Sequence, residues 1–542
     1  MPAGTVSSGA VSAAASPDVA TVVDVTNQQL TRQEEEVPRR RAKEVAHKVP
    51  HPSVEERQRR GRVARAEVPR DRLGVWESLP DRPDPVEMLV GQETWRVREL
   101  APVRHARMAT SAFAFYRGAA LLMASDLAGM PRSGLEVQLC GDAHLSNFGT
   151  FAAPDRSVVF DVNDFDETNP GPFEWDVKRL AASFVLAARD NGLPRKVGLA
   201  AAKAAASYYR ESMGAYAQKR EIEIWYDRID ASGLIESIRE PPSGNGGQKA
   251  KEEERAEATL QAAEAKARTR DAWSAINKIT EVVDGRHRFR NDPPLLMRLD
   301  VGAGAGAMIN GVFREYRATL QEDRQQLLKR YEIIDMAHKV VGVGSVGLLA
   351  FVVLLRGRDE DDLMVLQVKQ AQASVLEAYI RKSAFIKHGH RVVTGQRLMQ
   401  AASDSFLGWI DGPGGLSFYV RQLRDMKWSP DPSTLTKQQL GRYAALCGHT
   451  LARAHARSGD SIAISAYLGT GKSFDKAIRS FAEVYADQSE RDYAEFTRAI
   501  SDGRISAHED AGGSEGVAAA RQVGGRSARP KQTKRTKPSS AP

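Results

Sequence analysis

At 542 residues, 42% hydrophobic and 27% charged, the chain is long enough to bury more than one core. Its two cysteines, Cys140 and Cys447, exclude a disulfide-stapled scaffold, and with no apolar run near the roughly 20 residues that cross a bilayer and no signal-like start, a cytoplasmic protein without membrane contact is expected. Much of the net charge of +8 lies in the ends, Arg39 to Arg41 and Arg57 to Arg65 in front and Arg521 to Lys537 behind, so nucleic-acid binding beyond non-specific contact of basic tails is not expected.

In chain order, residues 1–68 read as a disordered or partly helical leader, and 69–330 as a mainly helical lobe that opens with one helix over Met108 to Ala128. Apolar runs at Phe148 to Ala153 and Val158 to Phe160, separated by Pro154-Asp155-Arg156-Ser157, predict a hairpin. Helices follow over Asp176 to Ala187 and Val197 to Lys219, with an inserted, solvated charged helix near 241–270. Apolar runs at Leu348 to Leu355, Leu363 to Val368, Phe406 to Ile410 and Leu416 to Leu423 place an antiparallel sheet lobe over 331–427. C-terminal helices of the helical lobe, over Thr436 to Arg457 and Ser473 to Ile500, occupy 428–503, and a disordered basic tail fills 504–542.

Two clusters flanking the hairpin carry the chemistry. Cys140-Gly141-Asp142-Ala143-His144-Leu145-Ser146-Asn147 offers a carboxylate at Asp142 to take a hydroxyl proton, a second candidate catalytic group in His144, and an amide oxygen at Asn147 for a metal. Asp161-Val162-Asn163-Asp164-Phe165-Asp166 supplies an ionic Mg²⁺ ligand, Asp164 or Asp161. A lone Asp-x-Asn is more often a capped polar turn, and it is the order of the two clusters around one hairpin that favours function.

About two hundred residues on, Gly342-Val343-Gly344-Ser345-Val346-Gly347 leads into a strand hairpin. That is the setting of a loop over nucleotide phosphates, and not of a dinucleotide fingerprint, which needs a helix next. Lys369, ending the second strand, would reach the phosphates of ATP, with Glu377 or Gln396 as its acidic or polar partner. A flexible turn and an edge-strand lysine are the bland alternatives.

Together these residues resemble the protein-kinase-like superfamily, and within it the aminoglycoside-phosphotransferase-like branch. The wider wording, Arg-His-Ala-Arg-Met at 104–108, Phe-Tyr-Arg-Gly at 115–118, Asn-Asp-Phe-Asp-Glu-Thr at 163–168 and Pro-Phe-Glu-Trp-Asp at 172–176, looks like the bacterial domain of unknown function 2252 family over roughly residues 55–500. The resemblance implies an α+β, two-lobed protein-kinase-like fold with an antiparallel-sheet nucleotide lobe and a mainly helical lobe. It makes Asp142 the catalytic base, Asn147 a metal ligand, Asp164 the metal-binding Asp, and Asp176 the buried Asp opening the next helix. Phe418 to Leu423 becomes the hinge along the adenine. Cys140 stands where that branch has His, the step from Asp142 to Asp164 is a few residues longer than usual, and the glycine loop follows the catalytic loop, which implies a circular permutation. The expected function is an ATP- and Mg²⁺-dependent phosphotransferase acting on a hydroxyl of a small molecule or protein. The alternatives are a nucleotide-binding pseudokinase and a metal-dependent phosphoesterase built on Asp142, His144 and Asp164. The sequence names neither the acceptor nor the oligomeric state.

Overall fold

The computed structural model describes residues 51–78, 80–230, 272–293, 295–299, 303–340, 346–423 and 428–508. Residues 1–50, the charged helix expected near 241–270, Gly342, Gly344 and the tail beyond 508 lie outside the described residues. The architecture is mixed α+β with antiparallel pairing throughout.

Four short strands gather the chemistry: β1 (Glu136–Leu139), β2 (Phe148–Ala152), β3 (Val158–Val162) and β4 (Asn169–Pro172). β1 pairs with β4, and β2 with β3 in the register Phe148 to Val162. The expected hairpin is therefore present, its turn closed by Arg156 at φ 66°. Helices Phe173–Asp190, Arg195–Tyr216, Lys437–Ala456 and Ser473–Ser501 pack on one another, and Phe173–Asp190 and Lys437–Ala456 lie against these strands. Phe173–Asp190 is buried from Phe173 to Ala188, because its alanines let neighbouring helices approach on all sides. Lys437–Ala456 begins at a capping box of Thr436 and Gln439, which satisfies two otherwise unpaired backbone N–H groups.

The second part starts with a hairpin, β5 (Thr280–Val283) and β6 (Arg286–Phe289), turned by Asp284 and Gly285, both at positive φ as a two-residue I′ turn requires. β7 (Leu296–Arg298), β8 (Glu332–Lys339), β9 (Ala350–Arg356), β10 (Leu363–Ala371), β11 (Gly408–Asp411) and β12 (Ser417–Gln422) form one sheet in the order β11-β12-β10-β9-β8-β7. Strand alternation gives it two apolar faces. Val353, Leu355, Met364 and Leu366 pack with Tyr316 and Phe406 on one. Val352, Leu354, Leu363 and Val365 pack with Ile276 and Phe289 on the other.

Two expectations change. Met108 to Ala128 is not one helix but the end of Ala101–Met108 followed by Ala112–Gly118 and Ala120–Ala128. Ser111 caps the second by accepting from the Ala114 N–H, and Gly118 folds against Met108, where an added Cβ would lie 2.7 Å from the sulfur. Residues 54–67 of the leader form a capped helix seated on Ser461–Leu468, with Gly61 against the Ala463 carbonyl. The sheet part also begins before residue 331: Ile276, Phe289 and Leu296 belong to its core.

Candidate functional site

Where β1 ends, Cys140 and Gly141 turn the chain into the Asp142 loop. Their backbone N–H groups donate to the Asp176 carboxylate at 2.8 and 3.1 Å, in the first turn of Phe173–Asp190, where negative charge also meets the helix dipole favourably. His455 Nε2 lies 3.2 Å from the same carboxylate, and its Nδ1 is 2.9 Å from the Tyr209 hydroxyl. Gly141 has φ 84°, and a Cβ there would sit 2.2 Å from the Glu167 carbonyl oxygen. Gly141→Ala is expected to destabilise the protein by at least about 1–3 kcal/mol, the cost of the left-handed backbone alone. The denaturant midpoint measures it, and an unchanged midpoint contradicts this account of the loop.

Asp142 is partly buried, and Oδ1 accepts from Arg179 Nε at 2.6 Å. Burial pushes its carboxyl up from the ordinary value, and the Arg179 charge opposes that shift. Arg179 follows Asp176 by one helical turn; it also donates to the Tyr116 carbonyl at 2.9 Å and stacks over the Tyr116 ring at 4.2 Å. Asn147 Nδ2 donates to the Asp142 carbonyl at 2.8 Å, which leaves the amide oxygen available as a metal donor. His144 Nε2 lies 3.7 Å from Asp142 Oδ2, and its Nδ1 is buried without a hydrogen-bond partner. Burial and the charges of Arg117 and Arg179 hold its ring well below the ordinary imidazole value, so it is neutral near pH 7.

The two acidic candidates of the second cluster separate. Asp161, 1% exposed, forms a close ion pair with fully buried Arg453 and accepts from Ala401 N–H at 3.1 Å and Val162 N–H at 2.9 Å. Its carboxylate is engaged in packing β3 against Lys437–Ala456, which corrects its assignment as a metal ligand. Asp164 lies in the loop beyond β3, with Oδ1 accepting from the Asp166 N–H at 3.1 Å. Burial and the neighbouring Asp166 carboxylate push it up, against the charges of Lys369 and Arg421. The Asn163 N–H donates to the Asn147 carbonyl at 2.8 Å, tying the two loops together beside Asp164.

Lys369 occupies the face of β10 that carries Leu363 and Val365, and its ammonium crosses to the other part of the molecule. Nζ lies 2.9 Å from Asp166 Oδ2, while the Tyr419 hydroxyl donates to Asp166 Oδ1 at 2.6 Å. Burial works against both charges, yet Asp166 is held at about 2 by Lys369 and Tyr419, and the Lys369 ammonium is raised mainly by Asp166. Neither expected partner holds the lysine. Glu377 caps its own turn at the Ser374 N–H, 3.1 Å away, and lies 3.7 Å from Arg391 Nε. Gln396 donates to Gln400 at 2.9 Å. Arg391, from helix His388–Met399, instead donates to the Asp166 and Gln372 carbonyls at 2.8 and 2.6 Å.

Of the glycine loop, Gly347 is described: it has φ 88°, and its carbonyl accepts from the Val97 N–H at 2.7 Å. Arg96 donates to the Val346 carbonyl at 2.6 Å. The residues at this site that sequence reasoning did not single out are Asp166 and Arg179, while Tyr419 and Arg421, expected only as part of the adenine hinge, reach Asp166 and the Asn163 carbonyl. Asp166 was in plain view within Asp-Phe-Asp, and Arg179 stands one helical turn after Asp176. Tyr419 is visible only through the register that sets it opposite Lys369.

Among the described residues no group of three or more His, Cys, Asp or Glu side chains converges as a metal site, and no helix is long and apolar enough to cross a membrane. Asn147 and Asp164 are oxygen donors of the kind that Mg²⁺ takes. The family model described as "Uncharacterized protein conserved in bacteria (DUF2252)" matches residues 96–499. The chain belongs to this family. The match takes in both the Asp142 and Asp164 loops and the whole six-stranded sheet, so the Lys369–Asp166 contact joins two segments of one family domain. No curated protein and no solved structure matches the chain.

Proposed function

We propose that the protein is an ATP- and Mg²⁺-dependent phosphotransferase with a circularly permuted, kinase-like arrangement, acting on a hydroxyl acceptor. The observation that carries this reading is the Lys369–Asp166 ion pair, 2.9 Å long between residues 203 apart in sequence. It brings a strand lysine that follows a glycine-rich segment to the loop that holds Asp164, and Asn147 joins that loop through backbone hydrogen bonding. A lysine for phosphates, a carboxylate and an amide for Mg²⁺, and a carboxylate for the acceptor proton are the parts that phosphoryl transfer needs.

On this reading the adenine lies against Phe418 to Leu423, and Lys369 and the 342–347 segment hold the phosphates. Asp164 and Asn147 would hold a Mg²⁺, which would supply charge neutralisation for the phosphates. Asp142 orients the acceptor hydroxyl and takes its proton, and Arg179 fixes that carboxylate by its 2.6 Å bond. Lys369 keeps Asp166 as its counter-ion where kinases use a glutamate on the neighbouring helix.

Thermal stabilisation by ATP with and without Mg²⁺, followed by a phosphoryl-transfer screen over hydroxyl acceptors, tests the proposal. Asp164→Asn is expected to abolish the Mg²⁺-dependent part of the ATP shift while the ligand-free melting temperature stays within a few degrees. A wild-type protein that ATP–Mg²⁺ fails to stabilise would refute the reading, and stabilisation without transfer to any acceptor would favour a nucleotide-binding pseudokinase.

A further inference from the structure

Beside the Lys369–Asp166 pair, a second set of bonds joins the sheet part to the helical part. It comes from a strap of the chain, the turn Gln92–Trp95 and the two residues after it. Arg96 Nη1 donates to the Val346 carbonyl at 2.6 Å, and the Val97 N–H to the Gly347 carbonyl at 2.7 Å. The Trp95 carbonyl accepts from Gln372 Nε2 at 3.1 Å. Three consecutive residues thus hold the end of the glycine-rich segment and the residue that follows β10, the strand of Lys369. Gly347 is suited to this grip. Its φ is 88°, and a Cβ there would lie 3.0 Å from the Arg96 Cβ and 3.4 Å from its Cδ, so the arginine stem runs where a side chain would be.

The base of the strap is fixed in the helical part. Buried Arg104 donates to Gln92 Oε1 at 3.3 Å, and His105 Nε2 makes a close contact with Glu93. Both come from helix Ala101–Met108, which packs on Ala112–Gly118. The other His105 nitrogen, Nδ1, lies 2.7 Å from the Ser506 carbonyl, and the His508 N–H donates to the Pro102 carbonyl at 3.2 Å, so residues 506–508 seat the same helix from the other side of the ring. The tip of the strap is held differently. Its three bonds to the sheet part are polar and Trp95 stays 57% exposed, so the tip buries little apolar surface and adds little to the stability of the fold. What directed bonds of this kind fix is position.

We propose that residues 92–97 are a brace that holds the Val346–Gly347 end of the phosphate-binding segment in place, with Arg96 as its positioning residue, an inference that rests on the phosphotransferase reading. A glycine-rich stretch has more backbone freedom to lose than any other, and the cost of ordering it is subtracted from nucleotide affinity. A brace that orders the end of the segment beforehand removes part of that cost. Arg96 touches neither nucleotide nor acceptor on this account and acts through the Val346 carbonyl. Its contribution is therefore to the binding of ATP and not to the transfer step.

The test is equilibrium binding of ATP–Mg²⁺ to the full chain and to its Arg96 variants. Arg96→Gln is expected to raise the Kd about tenfold, the factor that one hydrogen bond from a charged donor is worth, while the ligand-free melting temperature stays within a few degrees. Arg96→Lys, which keeps a charged donor for a single carbonyl, should recover part of the loss. Arg98→Gln, the same charge removed from an exposed neighbour, should leave the Kd unchanged. With an acceptor in hand, KM for ATP should rise in Arg96→Gln by the same factor with kcat unchanged, a split that a general loosening of the fold would not produce. An unaltered Kd in Arg96→Gln overturns the brace alone, as does a lowered one, which would make the strap a restraint on nucleotide entry. A wild type that does not bind ATP–Mg²⁺ removes the phosphotransferase reading and the brace with it. Should Arg96→Gln melt well below the wild type, Gln372→Ala, which deletes the bond to the Trp95 carbonyl and leaves Arg96 in place, carries the comparison with the same expected direction.

Discussion

Arg453→Ala is expected to destabilise the protein by about 3–5 kcal/mol, the range for removing one partner of a buried ion pair. Asp161 and Arg453 are 1% and 0% exposed, so no solvent replaces the lost partner. The Asp161 carboxylate would keep two backbone N–H donors, from Ala401 and Val162, against the whole cost of an uncompensated buried charge. Asp161→Asn should cost a comparable amount by stranding the arginine. A paired replacement, Asp161→Leu with Arg453→Met, should recover part of either loss, and a double-mutant cycle on denaturant midpoints measures the coupling. The same measurement separates the two acidic candidates: Asp161 should govern the melting temperature and Asp164 the response to Mg²⁺. Equal and small effects of Arg453→Ala and Asp161→Asn on stability would contradict this division.

The second large effect concerns turnover. Asp142→Ala should lower phosphoryl transfer by about 10²-fold or more, the lower end for a positioned general base, while the ATP–Mg²⁺ rise in melting temperature persists. A group that acts on the acceptor hydroxyl contributes in the transition state and little to the binding of ATP. Removing it also releases Arg179, whose remaining bond to the Tyr116 carbonyl keeps it from being wholly unpaired. Retained transfer would assign the proton to another group. Loss of nucleotide binding would show that Asp142 holds metal, as a phosphoesterase built on Asp142, His144 and Asp164 requires.

What the residues announced in advance depended on how local the determining contact was. The β2–β3 hairpin was legible because Pro154 to Ser157 separates two apolar runs of matching length. Asp176 was legible only through the resemblance, which expects a buried Asp opening the next helix, and the structure seats it in the first helical turn, accepting from two loop N–H groups. The strand β8 was not, since Asp335 and His338 interrupt its apolar pattern and a bulge between Ile333 and Asp335 shifts its register. Buried Asp335 is satisfied by Arg298 and the Phe289 N–H, both on other strands, and by the adjacent Met336 N–H. Lys369 was visible, but its partner was not: the choice among Glu377, Gln396 and Asp166 depends on which loop the far end of β10 meets. Asp161 drew attention as an acid near Asp164 for the same reason that it misled. Composition cannot distinguish a carboxylate kept for a ligand from one already neutralised by an arginine 292 residues away.

The salt link between Lys369 and Asp166 has a consequence for timing. A lysine whose counter-ion rides on the adjacent helix can be switched by swinging that helix; here helix His388–Met399 carries Arg391, which grips backbone carbonyls of the Asp166 loop. The ammonium is thus already aligned before any nucleotide arrives, and rotating His388–Met399 would pull on the loop that bears the acid. Readiness and relaxation are then properties of one joint spanning the sheet and the Asp164 loop, so on the proposed phosphotransferase reading a nucleotide would meet the lysine preassembled, with control left to whatever opens or closes access to the acceptor.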